Sequence, residues 1–128
     1  MKPLGQLLRE GIGEPLPPSI LNRMNHVSDL DRSRARVVPV RWLPNGVDAM
    51  TIGSRIFVRS GHAGSVGLMA HELVHVEQWR DEGVVGFLRS YLGSYLRSRR
   101  SGLSHDEAYR AIPQESEARE RSSKELSA

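Results

Sequence analysis

The chain has 128 residues, 38% of them hydrophobic and 26% charged, which bounds it to one ordinary globular domain without room for two cores. It contains no cysteine, so disulfide scaffolds, thiolate zinc sites and cysteine nucleophiles are excluded together. The net charge of +3 comes from 16 Arg against 2 Lys. These are scattered apart from Arg97, Arg99 and Arg100, a group that reads as a solvated helix end, so no nucleic-acid partner is expected.

The first residues, Met1 to Glu10, lack the long apolar core of a signal peptide, and no later segment approaches the roughly 20 apolar residues that span a bilayer. No membrane partner is expected. The expected location is the cytoplasm, although export without a Sec signal leaves no mark in a sequence. Residues 10–18, rich in Gly and Pro, predict an extended segment. Ser19 then predicts an N-cap for a helix through about Leu30, with Ile20, Leu21, Met24 and Val27 on one face. Residues 36–42 read as a strand in which Pro39 suits an edge. Residues 48–52 and 55–59 predict a hairpin around Gly53-Ser54. Ser65 predicts the cap of a helix that Gly83 ends. A second helix, 84–99, carries Val85, Leu88, Tyr91, Leu92, Tyr95 and Leu96 as an apolar stripe. Ser104 opens a helical stretch to Ala111, and Pro113 opens a last helix that fades into the polar residues 122–128. The expected class is α+β, with a small antiparallel sheet followed by helices.

Residues 71–75 read His-Glu-Leu-Val-His. On a helix, positions i and i+4 share one face, so His71 and His75 can reach the same ion, while Glu72 sits about 100° further round. That arrangement suits a zinc site in which the cation lowers the pKa of a water towards ~7 and Glu72 takes the proton as the water attacks a carbonyl. Met69, Leu73 and Val76 fall on the opposite side and give the helix a core face. A catalytic zinc takes three protein ligands and leaves one position open, so a third must come from elsewhere. Glu115 is the first choice, because Ala118 three positions on lets its helix approach closely. Glu117 is the rival, and Glu120 is less suited. A single Glu on such a helix is otherwise an ordinary solvated residue.

The His71-to-His75 motif followed by Glu115-Ser116-Glu117-Ala118 resembles the gluzincin pattern, in which the glutamate heading E-x-x-A is the third zinc ligand. More narrowly, residues 10–120 resemble the DUF4157 family of metallopeptidase-like proteins associated with extracellular contractile injection systems. The likeness rests on Gly11-Ile12-Gly13-Glu14-Pro15-Leu16-Pro17-Pro18, Thr51-Ile52-Gly53, Met69 through Trp79, and Tyr109 through Ala118. It implies a zincin-like domain at 19–121, preceded by an extended segment at 1–18 and followed by a polar tail at 122–128. In that domain a short antiparallel sheet packs on the active-site helix, beside a helix bearing the glutamate. The minigluzincins show that so short a chain can be a complete domain. The resemblance implies zinc held by His71, His75 and Glu115. The sequence departs from the pattern at Arg119, where many gluzincins place an Asp that buttresses a zinc-bound histidine, so another acceptor must serve.

The developing oxyanion needs a donor, and Tyr109 and His105 are the candidates. His62, in a glycine-rich loop, could touch substrate; His26 reads as structural. The expected activity is zinc-dependent peptide hydrolysis, with an extended substrate pairing along the strand at 55–59. The alternatives are a zinc-stapled adaptor or cargo module of a secretion or injection apparatus without turnover, and a latent peptidase whose tail from Ser122 or whose Gly-Pro segment lies across the cleft.

Overall fold

A computed structural model describes residues 13–62 and 64–127; the first twelve residues of the expected extended segment lie outside it. The chain forms β1 (Glu14–Pro15), α1 (Pro18–Leu21), α2 (Asp29–Arg34), β2 (Arg36–Val40), β3 (Ala49–Ile52), β4 (Arg55–Arg59), α3 (Val66–Arg100), α4 (His105–Arg110) and α5 (Pro113–Ser127). This is the expected α+β class.

The single helix expected from Ser19 to Leu30 is instead two short ones. Pro18 starts α1 at its first position, and the helix closes at Asn22. Ser28 then begins α2 afresh: its hydroxyl accepts from the Asp31 amide at 3.3 Å, and Asp29 and Asp31 occupy the first turn. Met24 and Val27 are buried as expected, but from a turn rather than a helix face. Local capping chemistry therefore outweighed the apolar spacing. Asp31 is fully buried and receives both Arg80 Nε (2.7 Å) and Nη2 (2.9 Å), which ties α2 to α3.

The sheet has the order β1-β2-β4-β3 and is mixed, which corrects the antiparallel expectation. β1 runs antiparallel to β2, and β3 antiparallel to β4, but β2 and β4 are parallel, with Arg36 opposite Arg55 and Val40 opposite Arg59. The long connection 41–48 carries the chain past the place that β4 later fills. Arg59 fastens that connection by donating to the carbonyls of Leu43 (3.2 Å), Pro44 (3.2 Å) and Val47 (2.9 Å). Pro39 lies beyond the two-residue pairing with β1, on a stretch of β2 that is an edge on that side. Gly13 is required where β1 meets β2: its φ is +100°, and a Cβ there would sit 2.6 Å from the Val37 carbonyl oxygen.

Ile56 and Val58 point from the sheet onto Met69, Leu73 and Val76 of α3, all essentially inaccessible. Ser65 caps α3 as expected, accepting from the Leu68 amide at 3.3 Å. Gly83 interrupts it with φ 75° and ψ 166°, so α3 consists of two arms, 66–82 and 84–100. The apolar stripe expected on the second arm is not its buried face. Phe87 is buried, stacked between Trp79 (centroids 4.0 Å apart) and Tyr91 (5.3 Å), whereas Val85, Leu88, Leu92 and Leu96 are exposed. Ser104 and Glu107 form a capping box on α4. α5 continues through the stretch expected to be a tail. Ser122 is buried, Lys124 pairs with Glu120 one turn back, and the Glu125 carboxylate accepts from the Asn25 amide at 2.9 Å. Ala118 is fully buried in the core shared with α3, the close approach its size allowed. Among the described residues no helix is long and apolar enough to cross a membrane.

Candidate metal centre

His71 and His75 lie one turn apart on the first arm of α3, and the opening turn of α5 brings Glu115 against them. His71 Nε2 is 2.9 Å from Glu115 Oε1, His75 Nε2 is 3.2 Å from Glu115 Oε2, and the two Nε2 atoms are 3.2 Å apart. Ligands at 2.0–2.1 Å around a tetrahedral zinc stand roughly 3.3 Å from one another. Three donors at these spacings, two imidazoles and a carboxylate, therefore fit a cation of that size and preference. Glu72 also has an oxygen near both histidines, all within 4.8 Å of one another. Its closest approach to His71 Nε2 is 3.9 Å, which leaves Glu115 the better third ligand and Glu72 beside the cluster.

The tautomer of His75 follows from its neighbours. Gln78 Nε2 donates to the Gln114 carbonyl (3.1 Å) and to Glu117 Oε1 (2.6 Å), and both of those atoms can only accept. The amide orientation is thereby fixed, and Gln78 Oε1 accepts from His75 Nδ1–H at 2.7 Å. In the neutral ring the lone pair then lies on Nε2, the atom that would ligate a cation held between His75 and Glu115. Gln78 is the buttress that the sequence departure at Arg119 called for. Arg119 itself donates to the Arg110 carbonyl, on the exposed side of α5.

Glu72 is buried, and Thr51 Oγ1 donates to its Oε1 at 3.0 Å, while Trp79 Nε1 donates to the Thr51 carbonyl at 3.0 Å. Burial raises the Glu72 carboxyl above the usual range, against the opposing pull of His75, His71 and Thr51. A raised carboxyl suits a group that must accept and return a proton. Burial also opposes charge on His75, but the Glu115 hydrogen bond and the charge of Glu72 outweigh it and raise the imidazole. For Glu115, burial is overcome by hydrogen bonds from His71 and His75, and its carboxyl lies far below normal. Tyr91 Oη donates to Glu115 Oε2 at 2.7 Å. Burial, followed by the Glu115 charge, raises both Tyr91 and Tyr109, which keeps them neutral donors.

Glu72, His75, Glu115 and Tyr109 line a cavity of about 640 Å³ whose walls are β3 and the second arm of α3. Tyr109 therefore shares the lining of this cavity with Glu72, His75 and Glu115. His105 is not on that lining: it opens α4, and its Nδ1 lies 2.8 Å from Tyr95 Oη. His62 is exposed and also off the lining. His26 is structural as expected, its Nε2 2.8 Å from the Ala70 carbonyl oxygen. Glu117 supports Gln78, and Glu120 pairs with Lys124 on the surface, so neither reaches the cluster. The edge beside the cavity is β3, not the strand at 55–59, which lies between β2 and β3. Among the described residues, 122–127 and 13–18 are not on the cavity lining.

Thr51, Gln78 and Tyr91 were not identified as site residues from sequence. Gln78 carried a signal, a polar residue one turn beyond His75 on the histidine side. Tyr91 was read as part of an apolar stripe, and Thr51 entered only as part of a stretch carrying the family likeness.

The eCIS core domain family matches residues 15–83, more than half of the chain, and the protein belongs to that family. The matched stretch contains His71, Glu72 and His75 and stops before Glu115. No curated protein and no solved structure matches.

Proposed function

We propose that this eCIS core protein is a zinc-dependent peptide hydrolase. The observation that carries the reading is the convergence of His71, His75 and Glu115 at 2.9–3.2 Å, with buried Glu72 beside them and with His75, Glu115 and Glu72 lining a cavity. A zinc ion bound there supplies Lewis acidity, acidifying a water and polarising a carbonyl. Glu72 takes a proton from the attacking water and returns it to the leaving amine nitrogen, so that water and the peptide give a carboxylic acid and an amine. Thr51 holds Glu72 in position through Oε1. Tyr109 offers a hydroxyl to the carbonyl oxygen as it gains charge.

Family membership favours a second reading, a zinc-stapled module associated with an injection apparatus and without turnover. One experiment separates the two. Zinc content by mass spectrometry and peptide cleavage are measured for the parent and Glu72→Gln. Hydrolysis predicts about one zinc in both proteins and cleavage only in the parent. Equal cleavage by both rejects the mechanism. Zinc in both with no cleavage by either favours the staple.

A further inference from the structure

The cavity has a chemical bias beyond its donors. One wall is Met50 and Ile52 of β3, the other Val84, Leu88 and Leu92 of the second arm of α3, all with large exposed side chains. Solvent-facing apolar surface gathered in one place marks a binding surface. The second arm of α3 carries charge of a single sign. From residue 84 to residue 104 the chain carries Arg89, Arg97, Arg99 and Arg100 and no Asp or Glu. Arg55 lines the cavity, and its Nε is enclosed with no hydrogen-bond partner. Among the described residues no carboxylate pairs with these five arginines. The two carboxylates that line the cavity, Glu72 and Glu115, are both turned to the histidines. The lining is therefore largely apolar and carries one cation, Arg55, that no carboxylate among the described residues pairs with.

We propose that the cavity takes an extended peptide in which bulky aliphatic or aromatic side chains are flanked by Asp or Glu. The apolar side chain enters between β3 and the second arm of α3, where it displaces water from Leu88, Leu92 and Met50. An acidic side chain next to it meets Arg55, whose planar guanidinium suits a carboxylate. The site is concave and has an edge strand at its margin, features that fit a peptide and that a flat bilayer cannot enter. The inference names the substrate class of the proposed hydrolase and rests on that reading where cleavage is concerned, but its binding component can be measured without turnover.

The test uses zinc-loaded Glu72→Gln protein and two fluorescein-labelled peptides, one with a Glu-Leu-Glu-Phe core and one with Lys-Leu-Lys-Phe. Anisotropy is expected to show the acidic peptide binding roughly 5-fold more tightly, as one partly exposed charge pair at Arg55 would give. That preference should weaken at high salt. Arg55→Glu, with Arg55→Gln as the milder change, should erase the preference. Leu88→Asp should weaken binding of the acidic peptide about 10-fold. Equal affinity for the two peptides, or a preference unchanged in both Arg55 variants, overturns the proposal. So does co-sedimentation with phosphatidylserine vesicles that Leu88→Asp abolishes while neither peptide binds, which would assign the face to lipid. Preferential binding with no cleavage by the parent rejects the hydrolase and leaves the binding class standing. Cleavage by the parent that is indifferent to acidic residues does the reverse.

Discussion

Replacing Gln78 with Leu tests how the metal centre is held in shape. Gln78 is 4% exposed and makes three hydrogen bonds at once, to His75 Nδ1, the Gln114 carbonyl and Glu117 Oε1. Leu is of similar volume and fills the space, so the change removes polar partners without opening a cavity. His75 Nδ1–H loses its acceptor, and the preference for the tautomer that bares Nε2 goes with it. Loss of such an outer support costs about 10–100-fold in metal affinity, or ~1.4–2.8 kcal/mol. The buried His75 Nδ1–H is left without its acceptor, and a buried unsatisfied polar group adds roughly 1–3 kcal/mol against folding. Zinc affinity measured by competition with a fluorescent chelator should fall by one to two orders of magnitude. The metal-free protein should also melt several degrees lower. If Gln78→Leu binds zinc as the parent does, the tautomer argument is wrong, whatever happens to the melting temperature.

Glu115→Gln keeps the shape but removes the anionic ligand, so zinc affinity should fall by more than ~100-fold, beyond the range of an outer-support change. Glu117→Gln should cost no more than about 10-fold, because Glu117 acts only through Gln78. Chelator competition on the pair checks the choice between the two glutamates, and the reverse order of losses would refute it. The Asp31 carboxyl lies below its usual value: burial pushes it up, but Arg80 and Ser28 outweigh burial. A depressed carboxylate contributes stability that is present above its unfolded pKa of ~3.9 and is lost as pH falls through the folded value. Urea unfolding should therefore show Asp31→Asn less stable than the parent at pH 7, with the gap closing as pH falls through the depressed folded-state value. A gap of constant size would refute the linkage.

The parts of the fold written in short-range chemistry were legible. Ser65 before the metal helix, Gly83 within it, the hairpin at Gly53 and Pro113 at the head of α5 each satisfy a local rule, and each element stands where the rule put it. His71 and His75 were legible for a similar reason, since two histidines one turn apart fix each other's direction, whereas Glu115, distant in sequence, was preferred to Glu117 chiefly through the resemblance. Three features depended on the whole molecule. The parallel pairing of β2 with β4 is decided by where the connection 41–48 lands, which no local signal records. The continuation of α5 through residues 122–127 depends on docking, including Asn25 to Glu125, far apart in sequence. The second arm of α3 has an amphipathic pattern that predicts burial, yet the break at Gly83 turns most of its apolar side chains to solvent. Only Phe87 and Tyr91 reach back to Trp79 and Glu115.

The stretch that matches the family does not by itself contain the whole site. Residues 15–83 contain both histidines and Glu72, but the groups that orient them arrive later in the chain. Glu115 supplies the carboxylate, Tyr91 pins its second oxygen, and Gln114 and Glu117 hold the Gln78 amide that sets the His75 tautomer. α5 can deliver Glu115 and Glu117 together because both lie in its first turns, while Ala118 lets that end of the helix sit close against α3. The chemistry of the first half is therefore conditional on the packing of the second. Two imidazoles on one helix define where a cation could sit, and the docked helix decides whether they present lone pairs to it.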